Sequence, residues 1–149
     1  MNDLQIAKEE LLKGHSLAIV KEGIVLARKN GNWVNPIVEA FDKLREKMHG
    51  SSVADRVIGK AAAVICIYAG AKEVYTPLIS EPGKLALEKA SIKAEYENII
   101  PGILNPNKTG LCLAEEKLID VDDPLAGMEI LWDLLKKDRK NLRLNEGEG

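Results

Sequence analysis

The segment GSSVADRVIGK places hydroxyl, carboxylate and cationic side chains just before an apolar run, AAAVICIYAG. The polar residues with potential chemistry are Ser51, Ser52, Asp55, Arg56 and Lys60. The apolar run predicts a buried helix, because apolar residues would lie on every side of it, and we expect that helix to begin near Ser52. Free N–H groups at a helix N-terminus bind phosphate and other anions. We therefore expect Ser51, Ser52 and Asp55 to line a cleft, with Arg56 or Lys60 at its rim.

A second helix start is expected beside the first. The segment SEPGKLALEKAS predicts a helix with Ser80 as N-cap and Pro82 in the first turn. Ser80 and Glu81 would then face the same cleft, and two partly positive helix ends would favour one anion. Because its own charge opposes an anion, Asp55 is expected to contact a hydroxyl or an N–H group of the ligand.

The same residues also have a purely structural interpretation. Ser52 can cap the helix, and Asp55, three residues later, resembles the acid of a capping box. Arg56 and Lys60 are one turn apart and are then a solvated helix edge. A third interpretation is catalytic: Asp55 acts as an acid or base without a metal, and Lys60 or Arg56 supplies electrostatic support.

The surrounding elements are predicted from apolar spacing and turn residues. Helical spacing in residues 4–12 precedes two short strands around the turn at residues 21–23, and a helix begins beside Pro36. Strand and helix then alternate after the central helix, ending with a helix that begins at residues 123–124. This order predicts an α/β domain in which helices cover a mixed sheet. Residues 1–138 are expected to form one domain, and the polar tail 139–149 to fray.

Other polar and aromatic residues receive plain interpretations. Glu115 and Glu116 are expected to be solvated, and Cys112, without a recognisable histidine partner, to be a small buried side chain. Trp33 and Val34 are candidates for an exposed contact surface.

Composition excludes several classes of protein. The net charge is −2 and aromatic residues are 4% of the chain, which argues against binding nucleic acid. No apolar run is long enough to span a membrane. The first residues are charged and amphipathic, unlike a signal peptide. Two cysteines outside any CxxC pair favour a reducing compartment, so a cytoplasmic location is expected.

Three separate segments resemble a known family: SSVADRVIGKAAAVI, YTPLISEPGKLAL and AEYENIIPGILNPNKTGLCLAEE. They are similar to a prokaryotic domain-of-unknown-function family, DUF1893, of the cytidine-deaminase-like superfamily. The resemblance covers nearly the whole chain except the tail. It implies a three-layer α/β/α sandwich with a mixed sheet, and it implies no activity.

Deaminases of that superfamily hold zinc at the starts of two helices, through the pattern H-x-E and P-C-x-x-C. The resemblance places Val53 at the first ligand, Asp55 at the catalytic Glu, and residues 77–81 at the cysteine pair. No soft donor stands at the ligand positions, so we expect no zinc and no other cofactor. We expect a binding protein for a nucleotide or related anion that forms a homodimer, as superfamily members commonly self-associate. The alternatives are the metal-independent enzyme and a structural or regulatory partner protein without pocket chemistry.

Overall fold

The computed structural model describes the backbone of residues 1–32 and 34–147, and side chains as far as residue 136. The helices are α1 (Asp3–Leu12), α2 (Asn35–Leu44), α3 (Lys60–Ala69), α4 (Glu81–Lys89), α5 (Leu113–Leu118) and α6 (Pro124–Gly147). The strands are β1 (Leu17–Lys21), β2 (Ile24–Lys29), β3 (Ser52–Asp55), β4 (Val57–Ile58), β5 (Glu73–Ser80) and β6 (Lys93–Ile100). A short 3₁₀ helix, Arg45–Met48, follows α2.

The six strands form one mixed sheet. β1 is antiparallel to β2 and to β3, whereas β3, β4 and β6 are all parallel to β5. β3 and β4 pair in succession with the same edge of β5 and are separated only by Arg56. The predicted α/β fold with a mixed sheet is confirmed.

Helices cover both faces of this sheet. On one face, α1 packs Leu4, Ala7 and Leu11 against a small cluster that includes Ala18 and Tyr75. On the other face, α2, α3, α4 and α6 enclose the larger core. Its buried members include Ile19, Phe41, Val53, Ile65, Val74, Leu87 and Met128. The layers are therefore helix, sheet and helices, as the predicted sandwich requires.

The predicted hairpin is confirmed and shows how local sequence positions α1. Glu22 and Gly23 have φ values of 52° and 78°, the left-handed pair that a tight hairpin turn between twisted strands needs. The Asp3 carboxylate accepts hydrogen bonds from the Glu22 N–H at 2.9 Å and the Gly23 N–H at 2.8 Å. The first turn of α1 is thereby fastened to the tip of the hairpin.

The expected start of the central helix is wrong. α3 begins at Lys60, and the segment expected to form its first turn is instead strand β3, which pairs with β1 and β5. Ser52 is therefore no N-cap, and Asp55 belongs to no capping box. The physical reason is tertiary: a central strand gains two ladders of hydrogen bonds and burial on both faces, which outweighs local preference. Gly59, without a side-chain hydrogen bond, is the N-cap of α3.

Two expectations concern residues that the structure does not fully describe, at the end of the chain and before α2. Residues 137–149 have no described side chains, so the fraying of residues 139–149 stays a prediction. Trp33 also lies outside the described residues. Within the described part of the chain, no helix is both long and apolar enough to cross a membrane.

Candidate functional site

The N-termini of α3 and α4 meet at one buried carboxylate, that of Glu115. Its Oε1 accepts hydrogen bonds from the Lys60 backbone N–H at 2.8 Å and from the Ser80 hydroxyl at 3.1 Å. Its Oε2 accepts one from the Ile103 N–H at 2.9 Å. Glu115 is only 1% exposed. The two helix ends thus converge on a carboxylate that belongs to the chain itself.

The prediction that Glu115 is solvated is wrong, whereas Glu116 is exposed as predicted. Glu115 lies three residues before the fully buried Leu118, on the same face of α5. That spacing is the signal in the sequence from which the burial of Glu115 could have been predicted. Cys112 is half-buried and caps α5, its Sγ accepting the Glu115 N–H at 3.4 Å. This position gives Cys112 a structural role.

Two glycines let the helix ends approach this carboxylate. A Cβ built on Gly59 would lie 2.7 Å from Glu115 Oε2 and 2.7 Å from Ile103 Cγ1. A Cβ built on Gly83 would lie 3.0 Å from the backbone carbonyl carbon and oxygen of Gly59. Neither position has room for a side chain, so both glycines permit close packing of α3, α4 and Glu115.

Asp55 lies elsewhere, at the end of β3. It faces α3, because Val53, two residues earlier, belongs to the core on that side. Asp55 is 2% exposed, and its Oδ2 has no hydrogen-bond partner among the described residues. Burial raises the pKa of Asp55 to about 8, against the opposing effect of the Val57 and Arg56 backbone amides. Burial, and then the Asp55 charge, raise the pKa of the neighbouring Cys66 thiol.

The remaining predicted site residues do not share one cleft. Ser51 is fully buried, and its Oγ is unpartnered within the described structure. The buried Ser52 donates to Glu73 Oε2 at 2.7 Å. Arg56 is exposed and donates from Nε to the His15 carbonyl at 3.1 Å.

The predicted cap of α4 is confirmed. Ser80 Oγ accepts the Gly83 N–H at 3.1 Å, while Glu81, the next residue, is exposed. Of the predicted residues, the structure therefore brings together Lys60 and Ser80, through Glu115.

A groove of about 210 Å³ runs along α3 and α4, beside the segment of residues 119–124. The residues that line it are Lys60, Val64, Ile67, Pro82, Leu85, Ala86, Lys89, Ala90, Ile119, Val121, Asp122 and Pro124. Lys60 is 6% exposed, and its Nζ makes no hydrogen bond or ion pair within the described part of the chain. A second, wide-open depression of about 590 Å³ lies between the 3₁₀ helix and α6. There, Arg45 stacks over Phe41 and Trp132.

The zinc positions inferred from the resemblance also need correction. Val53 and Asp55 lie on β3, before the helix, so neither stands at the start of α3. The residues at that start are Gly59, Lys60 and Ala61, and residues 80–83 begin α4. These positions hold no histidine or cysteine. Among the residues described, no group of three or more His, Cys, Asp or Glu side chains could hold a metal ion.

Comparisons of sequence and fold place the chain among known proteins. The profile of the TM1506 family, a domain of unknown function (DUF1893), matches residues 6–135. The crystal structure of a DUF1893 family protein, TM1506 from Thermotoga maritima, superimposes with a TM-score of 0.77 and 25% identity. That match covers 85% of this chain and 84% of the other. No curated protein matches the sequence.

Two other solved structures are more distant. RibD of Acinetobacter baumannii gives a TM-score of 0.47 at 18% identity, over 64% of this chain and 34% of that one. The dCMP deaminase of cyanophage S-TIM5 gives 0.44 at 18% identity, over 63% of this chain and 93% of that one. The profile match spans most of the sequence, so this chain belongs to the DUF1893 family.

Proposed function

We propose that this protein binds a small anionic molecule in the groove beside Lys60. The observation that supports the proposal is the Lys60 side chain: the residue is only 6% exposed, and its amine has no carboxylate or hydrogen-bond partner within the described residues. A charged amine that has lost part of its contact with water and has gained no partner is costly. An anion bound in the groove would offset that cost.

The helix dipole at the start of α3 adds little to the positive charge of this amine. Lys60 is the first residue of the helix, where the helix dipole adds partial positive charge. Glu115 already accepts the Lys60 N–H and neutralises much of that partial charge. The side-chain amine is therefore the main charge that the groove offers to a ligand.

The size of the groove narrows the expected ligand. At about 210 Å³ it is smaller than the roughly 300–1,000 Å³ of pockets that enclose drug-sized ligands. A whole nucleotide does not fit within it. The proposed ligand is a smaller anion, or the part of a larger one that reaches Lys60.

The alternative of an acid–base enzyme finds less support. Asp55 is 2% exposed and is absent from the residues that line the groove. A general base must come within hydrogen-bonding reach of the proton it removes. Ser51, Ser52 and Asp55 therefore have no place in the proposed site.

A homodimer, a cytoplasmic location and the absence of zinc belong to the same proposal. Both cysteines are free thiols, which suits a reducing compartment. Light scattering at high concentration tests the dimer, and the 16.3 kDa monomer mass would contradict it. Elemental analysis tests the metal, and about one zinc per chain that survives mild chelation would refute its absence.

Titration of the unmodified protein and a Lys60→Met variant with small anions, followed by NMR, tests the binding proposal. Methionine keeps the packing of the lysine stem and removes the charge. We expect Lys60→Met to weaken binding at least tenfold, because hydrogen bonds between charged groups contribute about 1.5–3 kcal/mol. The matched control is Lys84→Met, on α4 but outside the groove, which should change affinity less than threefold. Equal affinity of both variants, or no binding by the unmodified protein, would overturn the proposal.

A further inference from the structure

The charges on the groove walls leave one unmatched positive group. Lys89 Nζ and Asp122 Oδ1 form an ion pair at 3.2 Å, and both side chains are largely exposed at the rim. Their charges cancel. Lys60 remains as the uncompensated charge among the lining residues. A complementary ligand therefore carries a single negative charge, located near Lys60.

The rest of the wall is apolar. Nine of the twelve lining residues are hydrocarbon side chains or prolines, so the ligand body contacts few polar groups. Leu85 is 55% exposed and Ile119 is 45% exposed, although both are large and apolar. A ligand with an apolar body would remove this surface from water, and the hydrophobic effect would favour its binding.

The volume limits that body. A groove of about 210 Å³ is smaller than the roughly 300–1,000 Å³ of pockets that enclose drug-sized ligands, so it suits a small body. A ligand of about six to ten non-hydrogen atoms fills the same space. Sugar hydroxyls or a second negative charge would lie against apolar walls without partners, which costs free energy.

We infer that the groove binds a monocarboxylate with a short apolar body. The carboxylate contacts Lys60, and the body lies between α3 and α4 against Val64, Ile67 and Leu85. This inference rests on the proposed function, since it names the ligand class of the same groove. A site for such a monocarboxylate differs from a phosphate site, where the bound group carries more charge and has no apolar body.

A chain-length series provides the test. NMR titration compares acetate, butanoate and hexanoate with inorganic phosphate and adenosine monophosphate, monitoring the backbone amides of Val64 and Ile67. We expect affinity to rise at least fivefold from acetate to hexanoate. Phosphate and the nucleotide should bind at least tenfold more weakly than hexanoate. Lys60→Met should weaken hexanoate binding at least tenfold, and Lys84→Met less than threefold, with thermal melting confirming that both variants fold.

The outcomes distinguish a failure of this inference from a failure of the proposed anion binding on which it rests. Lys60-dependent binding of phosphate or the nucleotide, without a gain from chain length, overturns the monocarboxylate class and leaves anion binding in place. Hexanoate binding that Lys60→Met leaves unchanged overturns the placement of the carboxylate. No Lys60-dependent binding by any of the five probes overturns both.

Discussion

Glu115 and Asp55 are two carboxyl groups buried to a similar extent, at 1% and 2% exposed, in opposite surroundings. Glu115 accepts hydrogen bonds from two backbone amides and a hydroxyl, at the N-termini of two helices. Asp55 has an oxygen without a partner in the described structure, and its pKa is raised to about 8. Burial alone therefore does not define the role of a carboxyl group; the donors around it do.

The difference reverses the roles that local sequence favours. Asp55 sits in a segment rich in polar groups and so resembles a site residue. Glu115 is one of two adjacent glutamates on a short helix and so resembles a solvated residue. In the structure, Glu115 joins α3, α4 and the chain at Ile103, whereas Asp55 is a buried carboxyl group with an unpartnered oxygen among the described residues. We expect Glu115 to stabilise the fold and Asp55 to destabilise it at high pH.

The largest expected effect is the loss of stability on replacing Glu115 by alanine. Each buried donor left without a partner costs about 1–3 kcal/mol. The three donors share one carboxylate, so their individual costs do not add fully. We therefore expect Glu115→Ala to lower the free energy of unfolding by roughly 3–5 kcal/mol. Chemical denaturation measures this change.

The matched control for that experiment is the exposed neighbour. Glu116→Ala should change stability by less than about 0.5 kcal/mol. Glu115→Gln should fall between the two, because an amide offers only one acceptor oxygen. Equal stability of the two alanine variants would mean that the carboxylate does not hold the helix ends together.

The second effect concerns pH and Asp55. Because its pKa rises from 3.8 to about 8 on folding, the folded protein retains a proton that the unfolded chain releases in this range. The free energy of unfolding should therefore fall as pH rises from about 4 to 8, and level off above that. This slope is at most about 1.4 kcal/mol per pH unit. In the Asp55→Asn variant this pH-dependent contribution to the free energy of unfolding is absent.

Denaturation of both proteins between pH 4 and pH 9 isolates this contribution. We expect the Asn variant to gain a few kcal/mol relative to the unmodified protein across this range. Asp120→Asn, at an exposed position, controls for the general change in charge and should leave the pH profile unaltered. Parallel profiles for the protein and Asp55→Asn would show that the Asp55 carboxyl is not held protonated.

The sequence predicts most elements of the fold because their signals are local. Pro36 lies in the first turn of α2, and Ser80 caps α4 with Pro82 beside it, as expected. The Glu22–Gly23 turn likewise follows from its own residues. Each such signal involves residues within four positions of one another.

Strand β3 and the Glu115 contacts depend on distant residues. β3 is four residues long and buried on both faces, so it shows no alternation of polar and apolar side chains. Glu115 bonds to groups 55 and 35 residues earlier in the chain. Its Lys60 and Ser80 donors could be identified only once the sheet had brought α3 and α4 side by side. Two helix N-termini do converge, but the first of them is at Lys60 and not near Ser52, and they meet at Glu115 of the chain itself.

A smaller effect is expected from Gly59→Ala. The new Cβ would lie 2.7 Å from both Glu115 Oε2 and Ile103 Cγ1, so these side chains or the helix must shift. We expect a loss of about 1–3 kcal/mol in the free energy of unfolding, as for other overpacked positions. Gly110→Ala, where a Cβ meets nothing within 4 Å, is the control. A loss that persists undiminished alongside Glu115→Ala would show that Glu115 is not the group that Gly59 accommodates.

The smallest effect is expected at Ser80, whose hydroxyl both caps α4 and donates to Glu115. Ser80→Ala removes both hydrogen bonds and should cost roughly 0.5–2 kcal/mol, the range for lost N-caps. Ser52→Ala is a matched comparison, because that hydroxyl bonds to Glu73 on β5 and not to Glu115. Combining each variant with Glu115→Ala gives two double-mutant cycles, measured by denaturation. We expect a coupling energy above about 0.5 kcal/mol for Ser80 and near zero for Ser52, since only Ser80 contacts the carboxylate. Equal coupling in both cycles would mean that Ser80 acts on α4 alone and that Glu115 does not link the two helix ends.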